Sequence, residues 1–498
     1  MVAPTHAKRA TLLGVWYFLR LLGLVYLIAF GSLWAQVHGL IGEQGIAPAR
    51  QLFEILRQHY GNKAFASHPS LLWLSPSDLA LDVVCGLGCF LSAALVFGKL
   101  QRLCAFLLWL LYLSLVNADY VFLQFQWDTL LLEAGFLAIF LAPNEVDSRI
   151  EHMSLPHGDA VFLVRLLLFR LMFCSGVVKL TSGDPAWRNL HALEYHFFTQ
   201  PLPNRPAYYV SKLPLEALMT LTGLTFFVEL IVPLFYFGPR RLRHLAAVLT
   251  AGFQLIILAT GNFAFFNILT IALCFVLFDD ESLSRLSPKP IRNRYFVRGG
   301  APSQTVSFPI PSGLLLAFLL FAGSVELLST LAPDAQLPKP MAQTAQIAQP
   351  FHLVNRYGLF AVMTSSRHEI VVEGSNDREN WLPYVNRWKP GDANRPPRQV
   401  APYQPRLDWQ LWFAALSSPD QNVWFLQLLY RLHEGSEPVL SLFESNPFPE
   451  APPKYLRAVI YDYRFTHLSE HEISGAWWER KLLGLYVPAV SFDEPKAP

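Results

Sequence analysis

The side chains best placed to do chemistry are charges inside apolar runs. Arg20, Asp82, Asp128, Glu133, Arg165, Arg170, Lys179, Glu229 and Glu326 all fall in segments otherwise rich in Leu, Phe, Val and Ala. A charge held in hydrocarbon is expensive, so each needs a partner or a task. Lys179, Asp128 and Glu133 form the sharpest group and are the candidate catalytic residues. A desolvated lysine beside a carboxylate can act as a base or proton relay. The same pair can be a structural bridge that locks two helices, or Lys179 can snorkel to the interface. The expected pairing is Lys179 with Glu133 or Asp128. Arg170 is expected to bridge to Glu229, which lies at a similar depth in its own span.

These residues must be positioned by membrane helices. The chain has 498 residues, 53% hydrophobic and only 15% charged. An average soluble domain is about 25% charged. Aromatic residues make up 14%, which suits interfacial rings. The net charge of +2 gives no electrostatic footprint for nucleic acid. Apolar runs at 13–34, 79–97, 103–118, 124–142, 161–180, 216–237, 244–260, 263–278 and 313–332 read as about nine spans. The two runs joined by Gly261-Asn262 form a tight hairpin that is either spanning or re-entrant.

With the N-terminus cytoplasmic, the inner segments gather more Lys and Arg than the outer ones. The bias starts at Lys8 and Arg9 and is densest at Arg240, Arg241 and Arg243 and over 285–298. Nine spans then place the C-terminal part outside, in a bacterial periplasm or, for a eukaryote, the ER lumen. The expected organisation is a helical transmembrane domain over 1–332 with outer loops 35–78 and 181–215. A Pro-rich linker at 333–350 follows, then a mostly-β extramembrane domain over 351–498. Strands are expected at 368–373 and 456–465, a strand or short amphipathic helix at 408–416, and a helix at 422–433.

Several chemistries lack their signatures. The five cysteines lie in apolar runs, and an odd, membrane-buried set is not a disulfide framework. Cys85 and Cys89 flank Gly86 and Gly88, a close-packing pattern. The loop histidines match no metal motif, and no phosphate loop, dinucleotide fingerprint or nucleophile elbow occurs. No metal or cofactor is expected.

Longer motifs point to a family. Phe173–Leu190 contains Gly176-Val-Val-Lys-Leu-Thr-Ser-Gly-Asp-Pro-Ala-Trp187, and Ala192–Asn204 follows it. With Gln126–Gly135, Asn262–Asn267, Asn355–Thr364 and Glu369–Ser375, these runs resemble the lipase maturation factor family. The resemblance implies a membrane maturation or chaperone-like factor for exported proteins, with lipases as one client class and a lumenal or periplasmic working face. The absence of a long extension before the first span fits a compact bacterial member, resident in the inner membrane. Gly176–Leu180 is also distantly similar to the membrane domain of the vitamin K-dependent gamma-carboxylase. That similarity puts Lys179 at the place of the base that deprotonates the hydroquinone, and implies an alternative enzyme acting on a quinone or lipid-embedded substrate. A maturation factor needs apolar surface for its clients. The expected client-binding residues are Trp187, Tyr195, Phe197, Phe198, Tyr357, Phe360, Trp409 and Trp412.

Overall fold

The computed structural model describes residues 11–146, 150, 153–297, 312–332 and 337–492. Lys8, Arg9, Arg298 and the first residues of the expected linker, 333–336, lie outside them. The membrane part contains α1 (Leu12–Trp34), α2 (Asp78–Val96), α3 (Gln101–Val116), α4 (Gln126–Leu141), α5 (Gly158–Thr181), α6 (Leu215–Phe226), α7 (Arg240–Thr260), α8 (Phe266–Cys274) and α9 (Ser312–Leu331). Ser77 caps α2 by accepting from the Ala80 N–H.

Among the described residues, six helices are long and apolar enough to cross a bilayer: α1, α2, α5, α6 with its continuation to Phe237, α7 and α9. This is fewer than the nine expected. The reason is length. At about 1.5 Å per residue, the 16-residue helices α3 and α4 reach about 24 Å, short of a hydrocarbon core of about 30 Å. The 9-residue α8 is shorter still, extended only by a 3-10 turn at Phe275–Leu277.

The continuation of α6 is irregular. A π turn covers Phe227–Ile231 and a 3-10 stretch covers Val232–Phe237. Pro233 has no N–H to give to the Glu229 carbonyl and its ring crowds that carbonyl, so regular α geometry fails there.

The C-terminal region is β-rich, with a four-stranded antiparallel sheet in the order β2-β1-β5-β6. Its strands are β1 (Arg367–Ser375), β2 (Leu382–Pro383), β5 (Tyr455–Phe465) and β6 (Trp478–Val490); β3 (Val385–Asn386) and β4 (Phe443–Ser445) form a separate pair. Ile370 faces Ile460 and Val372 faces Ala458 across β1 and β5. Of segment 408–416, residues 408–414 are helical, within α10 (Arg406–Ala414), and 415–416 form a turn; α11 (Val423–His433) follows. Leu407, Leu411, Phe425 and Leu428 share one core with Ile370, Val372, Leu456 and Ala458.

That core runs on into the membrane helices, so the C-terminal region is a fitted cap. At the end of α1, Gln36 donates to the Gln404 carbonyl at 2.7 Å. Asn262, in the α7–α8 turn, donates to the Arg398 carbonyl and accepts from Val400 and Ala401. Arg431 and Ser436 reach the carbonyls of Gly45 and Gln44. The connection expected as a linker is also structured: Lys339–Gln346 is helical, and the Pro350 carbonyl accepts from Asn117 at 3.0 Å.

Candidate functional site

Lys179, Glu133, Arg170 and Asp128 are each in an ion pair, but not with the partners that depth in sequence suggested. Lys179, near the end of α5, binds Glu229 at 2.8 and 2.7 Å and donates to the Ser175 carbonyl at 3.1 Å. All three ammonium hydrogens are therefore used. The Trp187 ring lies 5.3 Å from the ammonium. Glu229 comes from the π turn, which packs on α5 at Gly176. A Cβ there would sit 2.7 Å from a Leu230 methyl and 3.0 Å from the Glu229 Cβ. The neighbouring His196 is pushed down to about 4, by burial first and then by Lys179, so it stays neutral and adds no second cation.

Glu133 pairs with Arg170, not with Lys179. Its other oxygen accepts from the Tyr357 hydroxyl at 2.8 Å and the Asn355 backbone N–H at 3.0 Å. The stretch Asn355-Arg-Tyr-Gly358 thus has a physical meaning. Asn355 and Tyr357 plug into α4, and the Gly358 N–H donates to Gln126 at 3.0 Å. A Cβ at Gly358 would meet both Val178 methyls at 2.9 Å.

Asp128 finds a third partner, Arg406, which sequence reasoning missed altogether. Arg406 is 1% exposed and also donates to the Phe122 carbonyl at 2.7 Å. The Tyr112 hydroxyl donates to Asp128 at 2.5 Å. Nothing local marks Arg406, because it lies 278 residues along the chain from Asp128 in a segment of ordinary soluble composition. The expected catalytic trio is therefore split among three separate ion pairs. Arg165, also a span charge, is satisfied by the Val276 carbonyl.

Most of the expected client-binding aromatics are packed. Trp187, Phe197, Tyr357, Trp409 and Trp412 are buried, and Tyr195, Phe198 and Phe360 are half-buried. Two indole N–H groups are satisfied internally, Trp187 donating to the Phe360 carbonyl and Trp412 to the Thr199 carbonyl, each at 2.9 Å, whereas that of Trp409 has no partner among the described residues. Large rings in contact with a cap have more area to bury inside than outside. Phe360, Trp409 and Trp412 do share one feature. With Trp127, Phe263 and Phe413 they line a cleft of about 360 Å³ between cap and helices. Trp187, Tyr195, Phe197, Phe198 and Tyr357 form no part of its wall.

A helical membrane domain whose buried charges are pinned by a C-terminal β-rich cap defines an integral membrane protein built as one bonded unit. The same two parts appear in the comparisons. The lipase maturation factor transmembrane domain matches residues 13–285, and the lipase maturation factor C-terminal domain matches residues 353–488. The chain belongs to the lipase maturation factor family, and is a membrane maturation factor. It is 35% identical to Lipase maturation factor 2 of Xenopus laevis, covering 95% of this chain and 81% of that one. It is 33% identical to Lipase maturation factor 1 of Homo sapiens, covering 99% of this chain and 90% of that one. No solved structure matches.

Proposed function

We propose that this chain holds apolar surface of exported proteins while they fold, with lipases among its clients. The names of its relatives support the client class. The carrying observation is an apolar stripe on the cap. On α11, Trp424, Phe425, Leu428 and Leu429 turn inward, while Val423, Leu426 and Tyr430 stay 71%, 45% and 38% exposed. These three recur at helical spacing, so they form one outward face. A helix apolar on both sides supports a partner surface on the cap.

The cap faces the compartment in which exported proteins fold, and the N-terminus is cytoplasmic. Supporting this, α7 begins with Arg240, Arg241 and Arg243 and ends where Asn262 meets the cap, so its basic end lies away from the cap. The chain then makes nine traverses, with α3, α4 and α8 as short ones sheltered by their neighbours. Lipid contacts the outer helices, and the host membrane is the bacterial inner membrane or, in a eukaryote, the ER.

The test is co-expression with a secreted lipase in a strain lacking its own maturation factor. Val423→Asp and Leu426→Asp should lower secreted lipase activity several-fold at unchanged levels of this chain. Full activity with both variants removes the stripe as the client surface.

A further inference from the structure

Glu326 differs from the other span charges described above. It lies in α9 within two turns of the helix end that meets the cap, half-buried, and among the described residues its carboxylate has no hydrogen-bond or ion-pair partner. Arg170 and Arg356 act on it only from beyond hydrogen-bond range, and an ionisable residue at that depth marks a candidate place for taking up a ligand charge. Among the described residues Arg356 likewise has no hydrogen-bond or ion-pair partner, and it acts on Glu326 at longer range. Arg356 lies between Asn355 and Tyr357, both of which bond to Glu133 of α4.

Both charges line one polar cleft of about 430 Å³, together with Gln124, Gln126, His352 and Asn355. Gln124 and Gln126 are also part of the wall of the aromatic cleft of about 360 Å³. A polar site carrying one cation and one anion thus adjoins an apolar site at a shared wall. The apolar side has room for one chain, and its rings offer no polar side chain to a headgroup.

We propose that the two clefts together bind one single-chain zwitterionic amphiphile of the lysophospholipid type. Its phosphate lies on Arg356 and its ammonium on Glu326, while the acyl chain crosses Gln124 and Gln126 to lie among Trp127, Phe360, Trp409 and Trp412. Charge complementarity selects the head, and the position of Glu326 near the cap end of a membrane helix puts that head at interfacial depth. This site is separate from the α11 stripe, and its test needs no client.

The test uses the full chain in phosphatidylcholine nanodiscs, titrated with lysophosphatidylethanolamine bearing a dibrominated chain. Bromine quenches tryptophan on contact, and three tryptophans line the aromatic cleft. Expected are saturable quenching and displacement by the unbrominated lipid. Glu326→Gln combined with Arg356→Gln should weaken binding at least tenfold without moving the thermal midpoint. Leu416→Tyr, at the cleft wall, should abolish quenching. Dibrominated fatty acid, which lacks the ammonium, should bind at least tenfold more weakly. Linear, unsaturable quenching, equal binding of the fatty acid, or indifference to the double substitution would overturn the proposal. So would an apolar peptide that fills the cleft and that the lysolipid fails to displace.

Discussion

Arg406 of the cap grips Asp128 of α4 with both prongs of its guanidinium, at 2.8 and 3.0 Å. The fork geometry matches the carboxylate, and both side chains are buried, so neither charge has water to fall back on. This pair bolts the cap to the membrane helices. Arg367 adds a second fastening, donating to the Pro201 carbonyl at 2.8 Å and to Glu369 at 2.6 Å.

Removing one half of the bolt is expected to cost far more than removing both. Arg406→Met alone leaves a buried carboxylate uncompensated and should destabilise by about 3–5 kcal/mol. Arg406→Met with Asp128→Leu should recover most of that loss. Thermal unfolding of the detergent-solubilised chain reads the difference. Equal loss in single and double variants would mean that the pair is not the fastening.

Lys179 and Glu229 can be tested in the same way, with function as a second readout. If the pair only locks α5 to the π turn, Lys179→Met should lose folded protein, and Lys179→Met with Glu229→Leu should restore both folding and lipase maturation. A double variant that folds normally yet gives no mature lipase would show that the amine itself acts, as a base would.

Gly176→Ala should destabilise by about 1–3 kcal/mol, since the added methyl meets Leu230 at 2.7 Å and the Glu229 Cβ at 3.0 Å. The same substitution at Gly223, which has open space around it, should change little. Paired melting curves decide this.

Asp119 gives a pH prediction outside the spans. Its Oδ2 accepts from the N–H groups of Val121, Phe122 and Leu123, while Oδ1 is buried with no partner among the described residues. Burial outweighs those bonds and pushes its carboxyl up to about 6. The folded state then holds this proton more tightly than the unfolded chain does. Stability from this residue is present below about pH 4 and falls as pH rises to about 6, by an order of 2–3 kcal/mol at about 1.4 kcal/mol per unit. Asp119→Asn keeps an oxygen for the three N–H groups and removes the charge. It should flatten that slope and raise the midpoint at pH 7, as followed by thermal unfolding at several pH values.

Much was legible along the chain. Apolar runs marked the six helices long enough to cross a bilayer, because burial in lipid demands residue type and not particular neighbours, but they did not show that three further runs form shorter helices. Alternation found β1 and β5, and the long motifs found the family. Those motifs also held the fastening residues Asn355, Tyr357, Asn262 and Gln126, although their job was not visible from sequence alone. What the sequence could not supply was pairing. Depth along a span ranks Glu133 and Asp128 as equal partners for Lys179 and sets Glu229 beside Arg170, since it says nothing about which way each helix is rotated. Rotation and cap position are set by packing among all the helices at once. Only that packing gave Glu133 to Arg170, brought the π turn to Lys179, and delivered Arg406 to Asp128 from across the chain.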